Sequence, residues 1–232
     1  MTAMSIDPVP ADDAGSEEAP AGETRRSRDP ERTRAEILGV ATGEFSANGF
    51  AGARVDEIAA KTRTTKRMIY YYFGSKQGLY LTVLERAYAT IRSLEQQVDV
   101  EHLDPVAAIR ELSELTFDHH ESHPDFIRLV AIENIHEAKH LAESKVLSGL
   151  SQPAVSVIGR ILDRGRAEGV FREDVDALDV HMMISSFCVF RIANRYTFNT
   201  VFGRDPLAPD RREHYRNMLG DMVVEYLTAR GN

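Results

Sequence analysis

The sequence predicts an all-α protein with a small N-terminal helical domain and a larger C-terminal helical bundle. Apolar residues recur at helical spacing along most of the chain after Asp29. Proline and glycine residues divide that stretch into segments of ordinary helix length. No alternation of apolar and polar residues lasts long enough to suggest a strand. At 232 residues, the chain is long enough for one or two domains with a substantial core.

The composition is that of a soluble globular protein, with 43% hydrophobic and 28% charged residues. Cys188 is the single cysteine, so an internal disulfide is excluded and a reducing compartment is favoured. The longest uncharged apolar stretch, 182–190, is too short to span a bilayer, and no secretory signal is visible at the N-terminus. We therefore expect a cytoplasmic protein that has no membrane partner.

The charge is unevenly distributed along the chain. Residues 1–28 are predicted to be a disordered acidic tail, because they contain almost no large apolar residue; translation could begin at Met1 or at Met4. Residues 25–80 contain eleven basic and six acidic residues, whereas 81–232 contain seventeen and twenty-four. A basic module on an acidic body suits a phosphate-binding surface, although a solvated helix face explains the pattern equally well.

The N-terminal domain, residues 31–91, is predicted to begin with three helices and to include the start of a fourth. The first runs from Pro30 to Ala47 and ends at Asn48-Gly49, since both residues accept left-handed backbone angles. The second helix is predicted to run from Val55 to Thr62 and the third from Lys66 to Phe73, with Thr65 as its N-cap. A long fourth helix is predicted to begin near Lys76.

The second domain, residues 92–232, is predicted to be a bundle of five further helices. Proline and glycine positions separate these segments, and the last one has the clearest helical spacing of apolar residues. The predicted helices cover 104–121, 125–147, 152–168, 175–200 and 210–229.

The second and third helices are joined by a tight polar turn, which predicts a helix-turn-helix unit whose second helix can enter a major groove. On that helix Met68, Ile69, Tyr72 and Phe73 are predicted to pack inward. The opposite face carries Arg67, Tyr70 and Tyr71, with Lys66 at its exposed end. Basic groups and tyrosine hydroxyls at such positions can contact phosphates and base edges. Half-buried packing of the three tyrosines is the alternative interpretation.

Residues 31–91 resemble the DNA-binding domain of the tetracycline-repressor (TetR) family. The resemblance depends on Val-Asp-Glu-Ile-Ala at 55–59, on Tyr-Tyr-Tyr-Phe-Gly-Ser-Lys-Gln-Gly-Leu-Tyr at 70–80, and on Phe-Ser-Ala-Asn-Gly-Phe at 45–50. It implies a regulator that binds a double-stranded DNA operator. The candidate DNA-contacting residues are Arg54, Thr65, Lys66, Arg67, Tyr70, Tyr71, Tyr72 and Lys76.

Two residues depart from the family pattern. Arg63 occupies a turn position that is usually glycine, so the turn either tolerates a side chain or differs in geometry. Arg54 replaces the usual serine or threonine before the second helix, which therefore loses a side-chain cap; Arg54 could contact a phosphate instead.

The resemblance also implies a homodimer that is released from a pseudo-palindromic operator when a small molecule binds. The dimer would form through the helices at 152–168 and 175–200. A mixture of aromatic and polar side chains suggests an apolar or aromatic effector with one polar anchor, and no cofactor. The candidate effector-binding residues are Phe117, His120, Phe126, His136, Phe187, Phe190 and Asn194.

Other classes of function are weaker alternatives. His136-Glu137-Ala138-Lys139-His140 matches the H-E-x-x-H pattern, which on a helix could hold zinc in a hydrolase, but no third ligand is recognisable downstream. His119, His120 and His123 could form a non-catalytic metal site with His136. A helical interaction module without a DNA role is disfavoured by the basic 25–80 segment. We assign no catalytic or metal-binding residue, and we expect Cys188 to be a core residue.

Overall fold

A computed structural model describes residues 29–229, except for the side chains of 147–154. Within this range the chain forms ten α-helices and no strand, which confirms the all-α prediction. Their bounds are α1 (Pro30–Gly52), α2 (Val55–Lys61), α3 (Lys66–Phe73), α4 (Lys76–Glu95), α5 (Pro105–Ser122), α6 (Pro124–Ile135), α7 (Lys145–Ala167), α8 (Ala177–Ala193), α9 (Arg195–Phe202) and α10 (Arg212–Thr228). The predicted tail, 1–28, lies outside the described residues.

The first four helices enclose a core of their own. Its fully buried members include Ile37 and Phe45 from α1, Ile58 from α2, Ile69 from α3 and Leu79 from α4. Burial of each of these large side chains contributes roughly 1.5–3 kcal/mol. The two short helices, α2 and α3, thus gain from this packing the stability that their length alone would not provide.

The glycine predicted to end the first helix interrupts it instead. Gly49 has φ 66° and ψ 177°, a conformation that favours glycine. Helical structure resumes and continues to Gly52, and the amide of Ala53 donates to the carbonyl of Gly49 at 3.1 Å. The first helix is therefore longer than the predicted 30–47 and contains a kink.

The larger core is enclosed by α5, α7, α8 and α10, with α10 packed along α5. A smaller apolar cluster, comprising Ile91 of α4 with Phe126 and Ile127 of α6, joins it to the N-terminal domain. Since α4 contributes to both domains and α6 packs on α1, these two helices connect the helix-turn-helix unit to the bundle.

The prediction of one helix over 125–147 was wrong, because α6 ends at Ile135. Glu137 and Ala138 then adopt φ values of 57° and 56°, and the chain reverses. The cause is the carboxylate of Glu133, which is fully buried and accepts hydrogen bonds from the amide of Leu141 at 3.1 Å and from the ring of His140 at 3.0 Å.

Two other helix boundaries also differ from the prediction. Helix α7 begins at Lys145 and continues through position 153, where a proline was expected to break it; losing one backbone hydrogen bond does not end a helix that is held by packing along its later turns. The predicted helix 175–200 is divided at Asn194. There Arg195 turns away to form a bidentate ion pair with Asp205, at 2.7 and 3.0 Å.

Candidate nucleic-acid interface

The turn between α2 and α3 forms without glycine. Arg63 occupies the left-handed region at φ 50°, a conformation that costs a non-glycine residue roughly 1 kcal/mol. The amide of Thr64 donates to the carbonyl of Ala59 at 3.1 Å, and the buried hydroxyl of Thr62 donates to the carbonyl of Ile58 at 2.8 Å. These bonds keep the turn tight with an arginine at the position where the family usually has glycine.

The N-termini of α3 and α4 have side-chain caps, whereas that of α2 has none. The hydroxyl of Thr65 accepts the amide of Met68 at 3.2 Å, as predicted, and the hydroxyl of Ser75 caps α4 through Gly78 at 3.0 Å. Helix α2 has no cap from the side chain of Arg54. The loss of this cap was predictable from the sequence, whereas the residue that anchors the start of α2 was not.

That residue is Glu44 of α1, whose side chain is buried. Its carboxylate accepts hydrogen bonds from the backbone amide of Arg54 at 3.2 Å, from the ammonium of Lys61 at 3.1 Å and from the side-chain amide of Asn48 at 3.0 Å. Burial is the largest single influence and favours the neutral acid. The bonds from Arg54 and Lys61 together outweigh it, so the pKa of Glu44 is lowered. An ionised Glu44 therefore holds both ends of α2 against α1.

The inner face of α3 is narrower than predicted. Ile69 and Phe73 are buried and Tyr72 is half-buried, but Met68 is 37% exposed. In an eight-residue helix only the i, i+4 stripe reaches the core. Met68 lies one position before that stripe, so the prediction that it packs inward was wrong.

The candidate DNA-contacting residues lie on or beside the outer face of α3. Tyr71 is the most exposed of the tyrosines, at 77%. The exposed members of the set are Arg54, Thr65, Lys66, Arg67, Tyr70 and Tyr71, and the half-buried members are Tyr72 and Lys76. The half-burial of Tyr72 is compatible with both of its expected roles, since its ring can pack while its hydroxyl remains near solvent.

Both lysines have partners in the free protein. The ammonium of Lys66 is 3.2 Å from the carboxylate of Asp56, with both groups largely exposed. The ammonium of Lys76 donates to the carbonyl of Ala51 at 3.3 Å and lies 5.0 Å from the ring centroid of Phe50. Exposed ion pairs are weak in water, so a phosphate can compete with Asp56 for Lys66.

A buried polar cluster lies where this domain meets the bundle. The hydroxyl of Tyr80 in α4 donates to Glu133 of α6 at 2.8 Å, and the same carboxylate holds His140. The ring centroids of Phe50 and His140 are 4.4 Å apart. This cluster was not predicted from the sequence, because Glu133 occupies a position on the inward stripe where an apolar residue is usual.

The same reversal of the chain removes the H-E-x-x-H interpretation. Zinc binding by this pattern requires its two histidines to share a helix face. Here the segment is a turn, with His136 exposed and His140 buried against Glu133. Within the described residues no group of three or more His, Cys, Asp or Glu is arranged to hold a metal ion. The hydrolase alternative therefore has no geometric support.

The other three candidate metal ligands, His119, His120 and His123, have ring contacts instead. The rings of His119 and His123 are stacked at 4.2 Å, and His120 lies 5.6 Å from Phe126. Burial lowers the pKa of His119 and of His120 to about 4, so both are neutral at pH 7. Cys188 is a core residue as predicted, and burial raises the pKa of its thiol to about 12.

The structure disperses the candidate effector-binding residues. His120 and Phe126 are neighbours, whereas Phe117 is fully buried under the guanidinium of Arg191, 4.0 Å from its ring centroid. Phe187 is half-buried, 6.5 Å from the ring of Tyr215. The three exposed members are His136, Phe190 and Asn194. Helical periodicity alone could not show this, because it does not determine which inward positions line a cavity and which fill the core.

Further polar groups, which were not among the candidate effector-binding residues, lie close to His120. Tyr88 of α4 contacts Phe126 edge to face at 5.1 Å. Arg92, one turn later, is largely buried, and its charge lowers the pKa values of His120 and of His181 in α8 in addition to the effect of their burial. The sequence contains a signal that could have identified these groups. Tyr88, Arg92 and Glu95 have helical spacing, which places three polar residues on one inward stripe of α4.

Comparison with known proteins identifies the class of protein that these features define. Residues 37–83 match the family model for bacterial regulatory proteins of the tetR family. Residues 105–223 match the model for the tetracyclin repressor-like C-terminal domain. The chain is therefore a helix-turn-helix transcriptional regulator.

Similar proteins support the same assignment. The HTH-type transcriptional repressor NicS from Pseudomonas putida is 35% identical over 202 residues, which cover 87% of this chain and 95% of that protein. The HTH-type transcriptional repressor SCO4008 from Streptomyces coelicolor is 33% identical over 162 residues, covering 68% and 77%. The crystal structure of the transcriptional regulator SCO4942 from Streptomyces coelicolor superposes with a TM-score of 0.62 at 26% identity, covering 82% of this chain and 97% of that one. This chain belongs to the TetR family.

None of the helices in the described range is both long enough and apolar enough to cross a membrane.

Proposed function

We propose that this regulator represses transcription by inserting α3 of each subunit of a homodimer into a major groove, and that a small molecule releases it. The observation that carries the proposal is the outer face of α3, where exposed tyrosines lie one turn after exposed basic side chains on a helix that is anchored by Ile69 and Phe73. Cationic groups supply affinity for phosphates, and tyrosine and arginine can contact base edges. We assign the chain no catalytic activity.

Exposed apolar residues of the bundle support a dimer interface on α8 and α10. Leu178 and Met182 of α8 are 60% and 63% exposed, and Met222 and Tyr226 of α10 are also exposed. Over residues 155–167, α7 instead exposes a polar stripe that includes Arg160. The interface proposed here thus keeps the helix expected from 175–200 and replaces the one expected from 152–168 by α10.

We place the effector near His120 and Phe126, which are the two candidate residues that the fold brings together. The Nδ1–H of His120 donates to the carbonyl of Thr116 at 2.8 Å, so its neutral ring carries a lone pair on Nε2. With Tyr88, Phe126 and Arg92 nearby, this region suits an aromatic molecule that has a polar anchor. This retains the expected effector class with a narrower set of residues.

The proposal is tested by selecting DNA duplexes from a random library with the full chain, followed by fluorescence-anisotropy titration of the selected duplex. The double variant Arg67→Ala plus Tyr70→Ala is compared with wild type and with Arg160→Ala, a control of matched charge on α7. We expect the double variant to lose at least about 100-fold in affinity, since each base contact contributes about 1–3 kcal/mol. The control should bind like wild type.

Salt dependence tests whether contacts to phosphates supply the affinity for DNA. Wild-type affinity should fall with a log–log slope of about −0.9 per phosphate neutralised. If no duplex is enriched, or if the Arg160→Ala control loses as much affinity as the double variant, the α3 surface is not the DNA-binding surface.

A further inference from the structure

An open cavity of about 490 Å³ lies where the N-terminal domain meets the bundle. Its walls come from Ser46 and Ala47 of α1, just before the kink at Gly49, from one face of α6, and from the junction of α8 and α9. A volume of this size is typical of small-molecule sites, which range over roughly 300–1,000 Å³. The cavity is distinct from the region around His120, since neither His120 nor Phe126 borders it.

The lining of the cavity is mostly aliphatic. Helix α6 contributes Ile127, Ala131 and Ile132, and α8 contributes Ile192 across the cavity. Ile132 and Ile192 are not fully covered by the packing of the core, because each remains half-buried. An apolar molecule in this space would bury their remaining surface at roughly 25 cal/mol per Å².

The charged groups at the cavity are already paired within the chain. Arg195 forms its bidentate ion pair with Asp205, and Glu121 accepts Arg191 at 3.0 Å and Arg212 at 3.1 Å. Arg128 lies 3.4 Å from Asp125. An ionic ligand would have to compete with these partners, whereas an uncharged ligand would leave them in place.

Two exposed apolar residues stand at the mouth of the cavity. Ile135, at the end of α6, is 76% exposed, and Tyr196, at the start of α9, is 69% exposed. Single exposed apolar residues are ordinary, but a pair of them bordering one aliphatic cavity extends the apolar surface outward. From these features we infer that the cavity is a second small-molecule site, which takes an uncharged, largely hydrocarbon ligand.

Such a ligand would contact both domains at once. Ser46 and Ala47 belong to α1, which packs against the helix-turn-helix unit, and the other walls belong to the bundle. Occupancy therefore favours the arrangement of α1 and α6 in which the cavity exists, as any ligand favours the state that it binds more tightly. The inference does not depend on the effector being correctly placed near His120.

The test is a fluorescence titration of the full chain with the uncharged probe N-phenyl-1-naphthylamine. Ala131→Trp fills the cavity, and Ala89→Trp makes the same substitution on the exposed surface of α4. We expect saturable binding of one probe per chain by wild type and by Ala89→Trp, and an affinity at least about tenfold lower for Ala131→Trp. Ile135→Asp makes the mouth polar without entering the packed interior, so it should also weaken binding if Ala131→Trp fails to fold.

Three results would overturn the inference. One is the absence of saturable probe binding to wild type. Another is wild-type affinity in both Ala131→Trp and Ile135→Asp; loss of binding in His120→Ala alone would then place the probe in the proposed effector region, and the repressor proposal would stand. The third is a change of oligomeric state in Ala131→Trp, measured by light scattering, which would show that a second copy of the chain covers the cavity.

Discussion

Two exposed surfaces of this protein contain large apolar or aromatic residues, and they differ in charge. The outer face of α3 combines Tyr70 and Tyr71 with Lys66 and Arg67. The outer stripe of α8 contains Leu178, Met182 and Ser186, with no exposed cation among them and one exposed acid, Asp179, in the first turn. Both surfaces lack cover in the single chain, yet each suits a different partner.

The difference shows why exposed apolar area alone does not identify a partner. A surface that meets DNA must neutralise phosphates and remain soluble when DNA is absent, so its rings are accompanied by cations one helical turn away. A surface that meets a second copy of the chain is covered permanently, and charge at its centre would be costly to bury. The charge pattern between the apolar residues therefore distinguishes the two surfaces.

The largest effect is expected from placing a charge on the α8 surface. Met182→Glu introduces two unpaired carboxylates into a twofold interface, and we expect the dimer dissociation constant to rise at least about 100-fold, or roughly 3 kcal/mol. Analytical ultracentrifugation measures the change. Val170→Glu, at an exposed apolar position outside α8 and α10, is the control. An unchanged dimer in Met182→Glu would place the interface elsewhere.

A smaller effect is expected from the support of the α3 surface. Glu44→Gln loses the ion pair with Lys61, and we expect about 1–2 kcal/mol lower stability at about pH 7 in urea unfolding. The folded pKa of Glu44 lies below its ordinary value of 4.5. Its contribution is therefore present above that value and is lost as the pH falls through the folded pKa.

The difference between wild type and Glu44→Gln should consequently shrink as the pH falls below 4.5. Glu36→Gln, at an exposed position of α1, should match wild type at every pH. A constant difference across the pH range would mean that packing, and not the ionised carboxylate, supports α2.

The third prediction sharpens the role of charge on the α3 surface. Asp56→Asn frees Lys66 from its ion pair and removes a negative charge beside the DNA, so we expect affinity for any duplex to rise by a factor of about 2–5. Asp163→Asn, which breaks a comparable ion pair with Arg166 on α7, should leave DNA affinity unchanged. Weaker binding by Asp56→Asn would show that the ion pair positions Lys66 for DNA.

A similarly small effect, on stability and not on DNA affinity, is expected in the turn between α2 and α3. Arg63→Gly relieves the left-handed conformation at φ 50°, and we expect a gain of about 0.5–1 kcal/mol in the free energy of unfolding. Arg63→Ala keeps the Cβ atom and should not reproduce the gain. Equal gains in both variants would assign the effect to the arginine side chain and not to the backbone.

Much of the N-terminal domain could be predicted from local signals. The bounds of α3, its cap at Thr65 and the missing cap at Arg54 depend on residues within one turn of each other. The bundle was harder to predict, because α6 stops at a carboxylate whose partners, Tyr80 and His140, lie far away in the sequence or beyond the helix end. Periodicity reports which face is buried, but it does not report long-range hydrogen bonds.

The sequence by itself determined the helical fold class, the helix-turn-helix unit and the residues of its outer face, because helix spacing, caps and turn residues act over a few positions. Only the tertiary structure decided that Glu44 anchors both ends of α2, that Glu133 ends α6, and that the candidate effector residues separate. Each of these depends on contacts between residues distant in sequence, where burial makes an unpaired polar group costly and the fold must bring its partner to it.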